Sequence, residues 1–231
     1  MRVKDIAYAG YHHHQNDKTS FHDLANHADM LKLRIKPAIT SLGNQKVRKM
    51  KIAVIGTGYV GLVSGACFSE FGFDVTCVDN DSDKIAKIIS GDMPIYEPGL
   101  ADLVGRNVSG GRLHFTTDLM TAVAVADAVF IAVGTPTRRG DGHADLSFVY
   151  TVAREVAPCL NGYTVVIIKS TVPVGTGREV AKIIASTNPD AGFDVASNPE
   201  FLREGAAIAD FMRPDRVVAV SYTHLTLPTI A

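Results

Sequence analysis

The chain has 231 residues, enough for one large domain or two small ones. Hydrophobic residues at 46% and charged residues at 20% describe a globular chain, and a formal net charge of −1 gives no electrostatic case for nucleic acid or an anionic membrane surface. No apolar run approaches the roughly eighteen residues of a membrane-spanning helix. Cys67, Cys77 and Cys159 sit in apolar segments without metal-ligand spacing, as reduced core residues of a cytosolic protein do.

Residues 1–49 differ in character from the rest of the chain. They hold five of the eight histidines, among them His12, His13 and His14, and nine Lys or Arg against four Asp. No strand or helix period persists there, and no apolar stretch marks a signal peptide. Adjacent histidines splay apart in a solvated run, so a bland tail is expected rather than a metal site. Met50 stands directly before the first strand. It is expected to be the native start, with 1–49 an upstream leader read in frame; four Asp and few Ser argue against a transit peptide.

Regular structure begins after Met50. Ile52, Ala53, Val54 and Ile55 form a short β-branched run, expected as a strand buried on both faces. Gly56, Thr57, Gly58, Tyr59, Val60 and Gly61 follow in the pattern G-x-G-x-x-G, and a helix is predicted over 60–71, with Val60, Val63, Cys67 and Phe71 at helical spacing. In such a turn Gly56 permits the reversal, Gly58 lets a pyrophosphate approach the backbone, and Gly61 allows close helix–strand packing. The free N–H groups of the helix start then face the phosphates. A second apolar run, 75–78, ends at Asp79, eighteen residues beyond Gly61. An acid there binds the adenine ribose and repels a 2′-phosphate, which favours NAD over NADP.

Asp81 and Ser82 are expected to cap a helix running to about Ile89, followed by a proline-broken loop over 91–99. A short helix over 100–104 and a strand over 112–115 come next, and Thr117 and Asp118 open a helix through Ala126. The fourth strand is predicted over 128–133, and a polar loop leads to Asp145, read as the cap of a helix ending near Leu160. Strands over 164–168 and 193–196 flank a helix over 177–186, and a helix over 205–212 precedes a strand-like 216–220. This alternation predicts a Rossmann-type, doubly wound parallel sheet over 50–219. The stretch 221–229 resembles the conceptual translation of a transposase-type sequencing adapter, so 220–231 is expected to be an artefactual tail.

The polar clusters fall at carboxyl ends of the predicted strands, where open parallel sheets bind ligands. Val133, Gly134, Thr135, Pro136 and Thr137 would wall a dinucleotide. Ser170 and Thr171 place two hydroxyls at the next strand end, equally suited to capping or to holding cofactor, substrate or water. Glu200 and Glu204 would share one face of a helix, where one could act as base or hold a water, with Arg203 able to neutralise either. Favourable placement of acids at a helix start is the alternative.

Six segments occur in one order: 56–61, 94–100 (Pro-Ile-Tyr-Glu-Pro-Gly-Leu), 134–137, 169–173, 198–204 and Pro214-Asp215-Arg216. Over residues 50–218 the chain thereby resembles the N-terminal half of the nucleotide-sugar dehydrogenases, the UDP-glucose/GDP-mannose dehydrogenase family. The resemblance implies NAD contacts at residues 56–61, Asp79, Lys84, Val133, Gly134, Thr135, Pro136, Thr137, Thr171 and Glu204. It implies a catalytic water placed by Thr171 and Glu200, and a nucleotide sugar held by Glu200, Phe201, Leu202, Arg203 and Glu204, partly through backbone. It also implies a four-electron oxidation of UDP-glucose with two NAD, through a cysteine thiohemiacetal and thioester, in a homo-oligomer. Other nucleotide sugars, GDP-mannose or UDP-N-acetylmannosamine, and a non-catalytic NAD-binding module are the alternatives. The three cysteines match none of the family's nucleophile positions, so this chain alone is expected to be inactive.

Overall fold

Short β-branched runs alternating with helices can bury their apolar surfaces by stacking helices on both faces of one sheet. The computed structural model, which describes residues 48–138 and 143–221, shows this arrangement. The His12 to His14 run, residues 139–142 and the stretch 222–231 lie outside the described residues. In chain order the elements are β1 (Lys51–Ile55), α1 (Tyr59–Glu70), β2 (Asp74–Val78), α2 (Ser82–Ile89), α3 (Leu100–Ser109), β3 (Leu113–Thr116), α4 (Leu119–Ala124) and β4 (Ala128–Ile131). They continue as α5 (Ser147–Val156), a 3₁₀ turn (Ala157–Cys159), β5 (Tyr163–Ile168), α6 (Thr176–Thr187), β6 (Gly192–Ser197), α7 (Ala207–Met212) and β7 (Val220–Ser221).

The strands lie in the order β3-β2-β1-β4-β5-β6-β7. All neighbours are parallel except β7, which runs antiparallel to β6. Strand order therefore reverses between β1 and β4, and the carboxyl ends of these two strands open the crevice in which such sheets take ligands.

Side-chain alternation along the strands divides the core. From β1, Ala53 and Ile55 join Val129, Ile131, Val166 and Ile168 under α4, α5 and α6. Ile52 and Val54 join Val75, Cys77 and Leu113 under α1, α3 and α7. Helix α1 is buried from Gly61 through Ser69, not along one stripe only, because α3 and α7 pack over its outer side.

Several boundaries differ from the sequence reading for identifiable reasons. Helix α3 runs to Ser109 rather than Val104, since buried Asn107 donates to Glu70 Oε2 (2.7 Å) and to the Leu103 carbonyl (2.9 Å), which makes a polar position part of the packed helix. Helix α5 stops at Val156, because Pro158 has no N–H to extend it and the chain tightens into the 3₁₀ turn. Asp145 is not its cap residue; its carboxylate accepts from Ser147 N (3.0 Å) one residue outside the cap at Leu146. Strand β4 leaves the ladder after Ile131, where the Val133 carbonyl accepts from the Ser170 hydroxyl (2.6 Å). The expected strand over 216–220 is confined to Val220–Ser221.

One contact fixes how closely α1 approaches the sheet. A Cβ built on Gly65 would lie 2.3 Å from the sulfur of fully buried Cys77. Gly65→Ala should lower stability by about 1–3 kcal/mol despite the roughly 1 kcal/mol helix-propensity gain. The double variant Gly65→Ala/Cys77→Ala should recover most of that loss in urea unfolding, and simple additivity would show that the contact is not the cause.

Candidate functional site: a dinucleotide turn beside an acidic strand-end segment

The turn after β1 is built from close approaches that only glycine allows. Gly56 has φ of 100°, and a Cβ there would sit 2.8 Å from the Ala132 carbonyl oxygen on β4's exit. A Cβ on Gly61 would lie 1.9 Å from the Gly56 carbonyl oxygen, so α1 starts directly against the turn. Gly58 is different: a Cβ there meets no atom within 4 Å. It is the N-cap of α1, with an ordinary φ of −72° and no side chain capping the first turn. An unfilled space before uncapped N–H groups fits the pyrophosphate of a dinucleotide.

Thr57 does not face that space. It is fully buried, and both its backbone N–H (2.8 Å) and its hydroxyl (2.7 Å) donate to Asp79 Oδ2 at the tip of β2. Lys84, in the first turn of α2, places its ammonium 2.8 Å from the same oxygen. Asp79 Oδ1 accepts from Asp81 N at 3.1 Å. Burial opposes ionisation of Asp79, but Lys84 and the Thr57 donors outweigh it and hold the carboxyl at about 2. The acid is thus held ionised and oriented by the chain's own groups. Lys84 also offsets part of the negative charge that the sequence reading set against a 2′-phosphate.

Across the crevice, Val133 is half-buried against the core while Gly134, Pro136 and Thr137 are exposed. The Thr135 hydroxyl donates to the Thr171 carbonyl (3.2 Å), tying the exits of β4 and β5. Of the two hydroxyls after β5, Ser170 is buried and structural, donating to the Val133 carbonyl, whereas Thr171 is exposed at the crevice.

Residues 200–204 are not helical, so Glu200 and Glu204 do not share a helix face; α7 begins only at Ala207. Glu200 Oε2 accepts from Leu202 N within its own turn. Arg203 neutralises neither glutamate: its guanidinium pairs with Asp210 (2.7 Å), whose carboxylate also accepts from Arg203 N (2.9 Å). Leu202 packs on the core, while Phe201 is exposed with the Arg216 guanidinium 5.3 Å from its ring, and Glu204 is exposed. Thr171 and Glu200 stand at adjacent strand ends with no direct hydrogen bond between them among the described residues.

Two functional candidates escaped the sequence reading, although both lie in motifs it singled out. Glu97 is 6% exposed and meets Tyr59. Lys169 directly follows β5 at 5% exposure, with its ammonium 3.0 Å from Asn198 Oδ1 and 5.3 Å from the centre of the Phe211 ring. Burial pushes the Lys169 ammonium down to about 8, only partly opposed by the nearby Glu200. The one signal in sequence is a charged residue within an apolar or proline-flanked run.

The Lys169 environment has a measurable consequence. A cation with a lowered folded-state pKa binds fewer protons folded than unfolded between about 8 and 10.4, so its contribution to stability rises with pH across that window. The rise should be on the order of 3 kcal/mol. Unfolding free energies from pH 7.5 to 10.5 should show it in the native chain and not in Lys169→Met; parallel curves would contradict the burial effect.

Residues 50–226 match the model of the UDP-glucose/GDP-mannose dehydrogenase family, NAD binding domain. The UDP-glucose 6-dehydrogenase of Rhizobium meliloti (strain 1021) is 68% identical over 169 residues, 73% of this chain and 39% of that protein. Among solved structures, a UDP-glucose dehydrogenase from the hyperthermophilic archaeon Pyrobaculum islandicum is 41% identical with a TM-score of 0.74, over 79% of this chain and 43% of that one. A GDP-mannose dehydrogenase from Pseudomonas aeruginosa is 40% identical with a TM-score of 0.71, over 74% and 40%. The chain thus spans about two fifths of the length of these relatives. A sheet that reverses at a glycine turn facing an ionised acid, matched by the family model over most of its length, makes this chain a member of the UDP-glucose/GDP-mannose dehydrogenase family, whose NAD-binding domain it carries.

Proposed function

We propose that the chain is the cofactor-binding part of an enzyme that oxidises C6 of UDP-glucose to the carboxylate of UDP-glucuronate. The observation that carries this reading is the open cradle at Gly58 beside the fixed Asp79 carboxylate, in a domain 68% identical to a UDP-glucose 6-dehydrogenase. Conversion of a primary alcohol to a carboxylate removes four electrons as two hydrides and takes its second oxygen from water. NAD bound in the crevice would supply the hydride acceptor, one molecule for each step.

This chain's residues would do the positioning. Gly56, Gly58 and Gly61 admit the pyrophosphate, while Asp79, oriented by Thr57 and Lys84, accepts from the adenine ribose. Val133, Gly134, Thr135, Pro136 and Thr137 wall the nicotinamide half together with Thr171 and Glu204. Thr171 and Glu200 hold the attacking water between the β5 and β6 ends. Apart from Oε2, which is engaged by Leu202 N, Glu200 has an oxygen with no donor among the described residues. Residues 200–204 bind the nucleotide sugar. The compartment is the cytoplasm, in keeping with three free, buried thiols. Among the described residues no helix is long and apolar enough to cross a membrane.

The second oxidation requires a thiolate at the sugar carbon. Burial pushes the thiols of Cys67 and Cys77 up to about 12 and raises that of Cys159, and none of the three ends a strand at the crevice. The 231-residue chain should therefore convert no UDP-glucose to UDP-glucuronate. UDP-glucuronate formation would overturn that assignment of its cysteines.

Calorimetric titration tests cofactor choice. NAD should bind at least about tenfold more tightly than NADP, a difference of about 1.4 kcal/mol, because Lys84 only partly offsets the repulsion between Asp79 and a 2′-phosphate. Gly58→Val should fold normally, since its Cβ has open space, yet lose NAD. Equal affinity for both cofactors would remove Asp79 from the ribose site, and unchanged NAD binding by Gly58→Val would remove the glycine turn.

A further inference from the structure

Glu97 lies in the proline-flanked loop between α2 and α3, outside every role assigned above. Its carboxylate is almost wholly buried, yet no Lys, Arg or His among the described residues pairs with it. A buried charge of this kind is tolerated only if enough donors surround it. Its donors come from two distant parts of the chain. The Tyr59 hydroxyl, from the glycine turn, donates to Oε2 at 2.5 Å. Gly205 N donates to the same oxygen at 2.8 Å, and Ile208 N reaches Oε1 at 3.4 Å. The Arg203 carbonyl and Gly205 N also lie 3.2 Å from the Tyr59 oxygen.

Each partner is prepared for this contact. Gly205 has φ of 82°, a left-handed conformation that suits glycine and aims its amide at Glu97. Burial and the Glu97 hydrogen bond raise the Tyr59 hydroxyl to about 12, so it remains a donor throughout the physiological range. Tyr59 is the residue between Gly58 and Val60, inside the cradle, and residues 203–208 begin three positions after Glu200.

We propose that Glu97 is a positioning residue that couples the dinucleotide turn to the acidic segment, so that a dinucleotide seated at the turn orders residues 203–208 through Tyr59 and Glu97. The coupling rests on the function proposed above for the ligands at its two ends, whereas the hydrogen-bonded link rests on this chain's own residues. Loss of either partner leaves a buried group with too few partners and frees the segment that would hold the sugar.

Hydrogen exchange on the intact chain, with NADH as the probe, tests this. Tyr59→Phe removes only a hydroxyl and should preserve the fold. It should speed exchange of the Gly205 and Ile208 amides on the order of tenfold, as expected for weakening a hydrogen-bond set around a charged acceptor. Glu97→Gln should do the same, and the double variant should be no worse than either single variant. NADH should slow exchange over 203–208 in the native chain by more than it slows exchange in β1 and β5, and this excess should be lost in the variants. Additive effects of the two substitutions, or unchanged Gly205 and Ile208 exchange in Tyr59→Phe, would overturn the coupling. Should the native chain fail to bind NADH, the proposed function fails instead, and the exchange rates without ligand still decide whether Glu97 joins the two segments.

Discussion

The close approach of Gly61 to the Gly56 carbonyl is the constraint on which the site depends. A single methyl group there would overlap the carbonyl oxygen at 1.9 Å, so α1 can start where it does only with glycine at both ends of the turn. That start places the first turn of a buried helix at the carboxyl end of β1, where the strand order reverses. It also sets the depth of α1 on the sheet, with Gly65 against Cys77. Packing and ligand geometry are therefore one problem in this domain: the residues that let the helix reach the sheet also leave the space before its N–H groups.

The polar residues around the crevice are mostly committed to one another. Asp79 is held by Thr57 and Lys84, Glu97 by Tyr59 and the backbone of 205–208, Lys169 by Asn198, and Arg203 by Asp210. Such commitment reduces the reorganisation needed on binding, since an acceptor already oriented loses little freedom when a ligand hydroxyl arrives. It also separates orienting groups from contacting groups. Thr57, inside the glycine motif, is an orienting residue facing away from the cradle. Lys169 has a cost in stability, because its ammonium is desolvated and the nearby Glu200, the Asn198 amide oxygen and the Phe211 ring offset that loss only in part.

How much of this is legible in the chain depends on the range of the signal. Apolar alternation, the glycine spacing, Asp79 at the second strand tip and the Asp81 cap are local patterns dictated by backbone geometry, and each element they imply is present within a few residues. The errors fall at boundaries that a single residue decides, Pro158 after α5 and Asn107 within α3. Asn107 extends α3 because Glu70 waits across the helix pair, and nothing within residues 100–112 reveals that partner.

The order of strands and helices, the glycine turn and its acid were determined by sequence alone, because the close contacts they require exclude almost any other residue. The roles of individual charges were decided by the tertiary structure. The spacing of Glu200, Arg203 and Glu204 suggests an arginine between two glutamates on a helix face; the chain there is not helical, and Asp210 takes the guanidinium. Glu97 reads as an ordinary loop acid until the fold brings it to Tyr59 and to Gly205, 38 and 108 positions away in the chain. The partner of a charge and the water it loses are set by which elements converge on it, and that convergence is a property of the packed sheet rather than of any local stretch of residues.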